Sequence, residues 1–148
     1  MSVRVTSEIG ALRSVLVHTP GPELLAVTPA NREDYLYDDI IDLENAEREH
    51  RRFVAILERF ARVHLVRDLL AEVAVSEEAR SLLIRETTDV VPSGPLAAKT
   101  SERPPAELVK MLIEGEGDEP VPRARARNES GYMLPPLPNL FFSRETAM

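Results

Sequence analysis

Cysteine and tryptophan are absent from this 148-residue chain, glycine is scarce at six residues, and aromatic side chains make up only 5%. Without cysteine the chain can supply no disulfide, no thiolate metal ligand and no sulfur nucleophile. With so few glycines, neither G-x-G-x-x-G nor G-x-x-x-x-G-K occurs, so no phosphate-cradling loop is expected. Basic charge is also in deficit: 18 Lys and Arg stand against 25 Asp and Glu, a net charge of −7. That balance repels a phosphate backbone, and no Lys/Arg-rich face overrides it, so neither nucleic acid nor an anionic membrane is an expected partner. No stretch approaches the roughly 18 uncharged residues that a membrane span requires. The opening MSVRVTSEIGALRSVLVHTP alternates apolar residues with Arg4, Glu8 and Arg13, which is not the pattern of a signal peptide. The cytoplasm is the expected location.

What is present is an ordinary globular composition, 43% apolar and 29% charged, at a length that suits one domain. Val3 to Val5 and Ser14 to His18 read as short strands around the Glu8-Ile9-Gly10 turn, and TPGPE at residues 19–23 ends the second. Thr28-Pro29 reads as a helix cap followed by proline at the first helical position. Over residues 39–62 the pattern is helical. Leu43, Ala46, His50, Phe53, Leu57 and Phe60 recur at three- and four-residue spacing, with Val54, Ile56 and Ala61 widening the stripe expected to turn inward. Glu44-Arg48 and Glu47-Arg51 suit pairing across one helical turn. VHLV at residues 63–66 follows as a strand, which makes residues 1–67 an α/β unit.

Residues 68–117 read as a helical insertion, with helices expected from Asp68 to Val73, Ser76 to Glu86 and Pro105 to Glu114. TDVVPSGPLAAKTSERPP is read as the linker between the second and third, and Gly115 and Gly117 as the stop. Residues 118–133 read as a mobile loop carrying Arg123, Arg125 and Arg127. Residues 134–148, LPPLPNLFFSRETAM, read as a proline-led return strand. In a strand the adjacent Phe141 and Phe142 face opposite sides, so at least one belongs to a core.

Taken as residue types alone, few of these positions demand a function. His18, His50 and His64 have no second histidine or acid at metal-ligand spacing and no H-E-x-x-H occurs, so they read as structural and no metal is expected. Asp38 and Asp39 read as helix caps before substrate contacts. Asn139 after proline reads as a turn residue, and Arg144-Glu145 as a surface pair worth about 0–1 kcal/mol.

Three segments nevertheless resemble successive landmarks of the arginine deiminase family: EIGALRSVLVHTPGPEL at 8–24, LYDDI at 36–40, and LPPLPNLFFSRE at 134–145. The third is the most specific, and the helical insertion between the second and third also fits that family's layout. The resemblance implies a partial α/β propeller of the pentein type, of which this chain supplies the first ββαβ-type module plus the insertion. It implies hydrolysis of free L-arginine to citrulline and ammonia without cofactor or metal. A late cysteine is the nucleophile, a histidine moves protons, and acidic residues hold the guanidinium. A planar guanidinium carries donors in a fixed fork that a carboxylate matches two at a time.

Carried over by position, the family's P-N-x-x-F-x-R-D falls on Pro138, Asn139, Phe142 and Arg144. Asn139 and Phe142 are then substrate-pocket residues, and Leu36 a weaker candidate for the same wall. Glu145 stands where the family has aspartate, and its extra methylene displaces the carboxylate by about 1.5 Å. The cysteine and catalytic histidine are expected beyond residue 148, so the chain is expected to be truncated or split, and inactive alone. Two alternatives stay open: a non-catalytic remnant that binds a partner, and a fragment of a related amidinotransferase or dimethylarginine hydrolase. An open propeller fragment leaves strand edges and apolar surface uncovered, which favours self-association or pairing with a second chain.

Overall fold

The computed structural model describes residues 7, 9–91, 94–117 and 132–142. Strand β1 (Ser14–Val17) is followed by two short 3₁₀ turns, Pro22–Ala26 and Arg32–Tyr35, and then by helix α1 (Leu43–Leu57). Strand β2 (Arg62–Leu65) lies parallel to β1, with Val15 opposite Val63 and Val17 opposite Leu65. Parallel neighbours need a crossover, and α1 supplies it, so the strand-helix-strand order forms the expected α/β unit. The second expected strand partner, Val3 to Val5, lies outside the described residues.

Helix α1 is shorter than the 39–62 expectation at both ends. Its cap is Asp42, whose carboxylate accepts the Asn45 amide at 2.7 Å. Asp38 and Asp39 do not cap it: Asp39 instead accepts the adjacent Ile40 amide. The inward face is largely the expected one, without its phenylalanines. His50 is the buried residue, flanked by half-buried Leu43, Val54 and Leu57, whereas Phe53 and Phe60 point outward. Leu43, His50, Val54 and Leu57 lie within the expected stripe, and the phenylalanines at its other edge stay outside. Glu47–Arg51 pairs at 3.5 Å, while Arg48 turns to Asn45 and not to Glu44. Thr28-Pro29 opens a turn and not a helix, since Asn31 Oδ1 takes both the Thr28 amide and hydroxyl.

The described residues of the segment read as an insertion hold four helices, one more than expected: α2 (Val66–Val73), α3 (Glu77–Val90), α4 (Gly94–Glu102) and α5 (Pro105–Glu114). Helix α4 occupies the segment read as a linker. Ser-Gly-Pro there reads as punctuation, yet proline near a helix start is compatible with helix, and Leu96 is fully buried. Arg80 of α3 donates to the Ser101 carbonyl at 2.9 Å and also reaches the Thr100 and Arg103 carbonyls, covering the C-terminal end of α4 with a cation. Glu116 gathers Lys99 and Arg103 at 3.1 and 3.0 Å beyond it.

Helix α5 is packed on two sides. Leu108 and Met111 join Leu96 and Leu134, while Val109 and Ile113 join Ala74, with Leu140 against them. Gly115 ends the helix at φ 82°, and a Cβ there would lie 2.7 Å from the Leu134 carbonyl oxygen, so glycine is required. Strand β3 (Glu116–Gly117) then pairs antiparallel with β4 (Tyr132–Leu134). The described part of the expected return strand is not extended beyond Leu134: Pro138–Phe142 is a 3₁₀ turn. Pro135, Pro136 and Pro138 offer no amide donors, Leu137 gives its amide to Ile113 at 2.9 Å, and the Leu140 amide closes back onto Leu137. Among the described residues there are two two-stranded sheets and no closed one. No described helix is long and apolar enough to cross a membrane.

Replacing Leu108 by alanine removes a fully buried side chain from the centre of α5. We expect a loss of about 2–5 kcal/mol of unfolding free energy, read from urea denaturation.

Candidate functional site

The three landmark segments converge on one place. Leu24 and Val27 from the Pro22–Ala26 turn pack with Tyr37 from LYDDI, and Tyr35, Ile41 and Leu43 close around them. The Tyr37 hydroxyl then crosses to the third segment and donates to the Pro138 carbonyl at 2.9 Å. Its ring lies 5.8 Å from that of Phe142, which in turn stands edge-on to Phe141 at 5.4 Å.

Beneath this contact is a buried polar centre. His18 leaves the end of β1, and the Thr19-Pro20-Gly21-Pro22 turn brings Glu23 back beneath it. Glu23 is fully buried and His18 only 2% exposed. Glu23 Oε1 accepts the Gly21 amide and the His18 Nε2–H, each at 2.8 Å. A Cβ on Gly21 would approach Glu23 Oε2 to 2.7 Å, so glycine is present here for proximity. Glu23 Oε2 and His18 Nδ1 have no hydrogen-bond partner among the described residues. Burial, then the Glu23 charge, raises the Tyr37 hydroxyl above its ordinary pKa. Burial, then the nearby His18, lowers that of the His50 imidazole.

The residues expected to hold substrate are placed unevenly. Leu36 is 88% exposed and sits in the left-handed region at φ 62°, ψ 34°, the only non-glycine residue with positive φ among those described. Asn139 is exposed on its 3₁₀ turn, and Phe142 is 44% exposed. Glu145 lies outside the described residues. Leu36, Asn139 and Phe142 are thus carried by two segments that Tyr37 joins, but this chain does not enclose them. Among the described residues no group of His, Cys, Asp and Glu could hold a metal ion.

Sequence reasoning treated His18 as a lone structural histidine and assigned Glu23 no role. The available signal was a histidine and a glutamate on either side of a Pro-Gly-Pro turn, a spacing that returns the second side chain under the first. Nothing in LYDDI announces that Tyr37 bonds to a residue 101 positions later.

The class of structure is a mixed α/β fold of small sheets and five described helices, in which the Leu36-Tyr37 segment joins the Pro22–Ala26 turn, next to the buried His18–Glu23 pair, to the proline-led turn. The arginine deiminase family model matches residues 33–148. The chain is 35% identical to the arginine deiminase of Rhodococcus erythropolis, an alignment covering 97% of this chain and 39% of that protein. It is 33% identical to the arginine deiminase of Treponema denticola and 31% to that of Metamycoplasma hominis, again over 97% of its length. The chain therefore belongs to the arginine deiminase family, and spans about two-fifths of the length of these curated relatives.

Two measurements probe this centre. Glu23→Ala strands a buried imidazole and the Gly21 amide, so we expect about 3–5 kcal/mol of destabilisation by denaturant titration. For His50, the folded pKa lies below the ordinary 6.5, so the unfolded chain binds the extra proton. Stability then falls as pH drops through about 6.5 and levels off below the folded value. His50→Gln should lack that component, seen as a smaller loss of stability between neutral and mildly acidic buffer.

Proposed function

We propose that this chain is the N-terminal part of an arginine deiminase-like hydrolase, a cytoplasmic enzyme acting on free L-arginine to give citrulline and ammonia. It contributes the first module of a pentein-type propeller and one wall of the substrate pocket. The carrying observation is the Tyr37–Pro138 hydrogen bond, which draws the Leu36 and Asn139–Phe142 segments to the same place. Leu36, Asn139 and Phe142 would line the pocket, and Glu145 would take the guanidinium fork in place of an aspartate. That fork fixes orientation, and alignment of a bound substrate can supply roughly 7–11 kcal/mol of barrier reduction.

The chain alone has no nucleophile for this reaction in the family's terms, because it contains no cysteine. The exposure of Asn139 and Phe142 is in keeping with a pocket that other polypeptide must finish enclosing. A second reading, a partner-binding module of the same fold without catalysis, is favoured by the apolar surface left open along α1.

Purified protein incubated with arginine should produce no citrulline above the enzyme-free control. Added C-terminal polypeptide equivalent to the remaining three-fifths of the relatives, carrying the late cysteine and histidine, should restore production. Citrulline formed by the isolated chain would overturn the proposal, and failure of restoration with a folded C-terminal part would favour the non-catalytic module.

A further inference from the structure

Between helix α1 and the proline-led turn lies a groove of about 430 Å³, a volume that suits a small organic molecule. Ile41, Ala46, Phe53 and Phe141 give it apolar walls, and Asp42 and Glu49 stand on its rim. A carboxylate rim alone marks no ligand. His50 does: it lines the same groove, is only 9% exposed, and has no hydrogen-bond partner for its ring nitrogens among the described residues. Burial, then His18, lowers its pKa, so at neutral pH the ring is uncharged and offers one nitrogen as an acceptor. A buried acceptor without a donor is a cost that a ligand N–H removes.

The two ends of the groove are not equivalent. Asp42 is already engaged by the Asn45 amide, the helix N-terminus sets about half a positive charge against it, and Arg48 donates to Asn45 Oδ1. Further along α1 the balance changes. Glu49 is exposed, forms no ion pair among the described residues, and lies beyond the first turn, where the effect of the helix terminus fades. Glu49, the His50 ring and the Phe53 ring, 6.5 Å from that of His50, present a carboxylate, a neutral acceptor and an aromatic face along one wall. The carboxylate and the aromatic face attract positive charge, and the imidazole requires a proton donor. We infer that this groove binds a primary organic ammonium, its head against Glu49, His50 and Phe53 and its apolar stem along Ala46, Ile41 and Phe141. A quaternary ammonium keeps the charge but brings His50 no proton, and an alcohol keeps the shape but brings no charge. The net charge of −7 adds a general attraction for a cation. Leu36, Asn139 and Phe142 line no part of this groove, and ammonium binding here requires nothing of the arginine reading.

The test uses the full 148-residue chain with phenethylammonium as the probe, followed by ¹H–¹⁵N NMR with assigned amides. Saturable shifts are expected along α1 from Asp42 to Phe53 and at Phe141. Phenethyl alcohol, without the charge, should bind about tenfold more weakly, and phenethyltrimethylammonium, without an N–H, about two- to fivefold more weakly. Glu49→Gln should weaken the ammonium about two- to fivefold, leaving the alcohol's affinity and the far-ultraviolet circular dichroism unchanged, a selectivity that a folding defect would not give. Phe53→Leu keeps the apolar contact, removes the ring, and should weaken the ammonium by a similar factor of about two to five. Shifts centred on Leu36, Asn139 and Phe142, equal binding of ammonium and alcohol, or no saturable shift would each overturn the inference. None of these outcomes alters the citrulline result.

Discussion

The packing of α5 on two sides is the constraint on which the rest of the structure depends. Leu108 and Met111 commit one side to α4 and β4, while Val109 and Ile113 commit the other to the α2 end and to Leu140. With the helix fixed, Gly115 must turn where only glycine can, and the Ile113 carbonyl receives the Leu137 amide. That bond holds the proline-rich segment in place, and Pro138 then offers its carbonyl to Tyr37. The candidate pocket wall is thus positioned by a helix that contributes nothing to it directly.

The His18–Glu23 pair works differently. Two ionisable groups taken out of water gain little net stability even when well paired, and the larger effect appears when one partner is lost. What the pair supplies is position. Glu23 Oε1 is shared between the ring nitrogen and the Gly21 amide, which fixes the turn from β1 into the Pro22–Ala26 segment. Leu24 and Val27, which follow that turn, then pack against Tyr37. A polar centre therefore sets the direction of an apolar cluster, and that cluster orients Tyr37 toward Pro138.

The parts legible in the sequence were those with local causes. The βαβ order, α3 beginning after Ser76 with two glutamates, α5 between Pro105 and Gly115, and the family itself all follow from spacing, caps and motif residues. The parts that were not legible depend on neighbours distant in sequence. Which members of the broad apolar stripe on α1 turn inward is decided by what they meet, and Phe53 and Phe60 stay outside. Helix α4 was hidden by Ser-Gly-Pro, because buried Leu96 pulls into helix a segment whose local chemistry reads as a break. The 3₁₀ turn at Pro138–Phe142 was mistaken for a strand because prolines and aromatics suit both, and only the Leu137 to Ile113 bond decides between them. The pocket candidates were nameable from the motif, but their shared location rests on Tyr37, which no short pattern marks.

The small size of each packed cluster explains why an outer surface matters to this chain. Among the described residues three separate clusters and two two-stranded sheets divide the buried apolar surface, and a two-stranded sheet is marginal without a covering layer. In such a molecule the exposed Phe53, Ile56 and Phe60 are apolar surface whose covering would add burial. Anything that covers it binds the folded state and not the unfolded one, so it stabilises the fold in proportion to its concentration relative to its dissociation constant. The residues that stayed outside, Phe53, Ile56 and Phe60, are then not packing errors. Covering them would add to the burial that α1 already gains through His50 on its inner side.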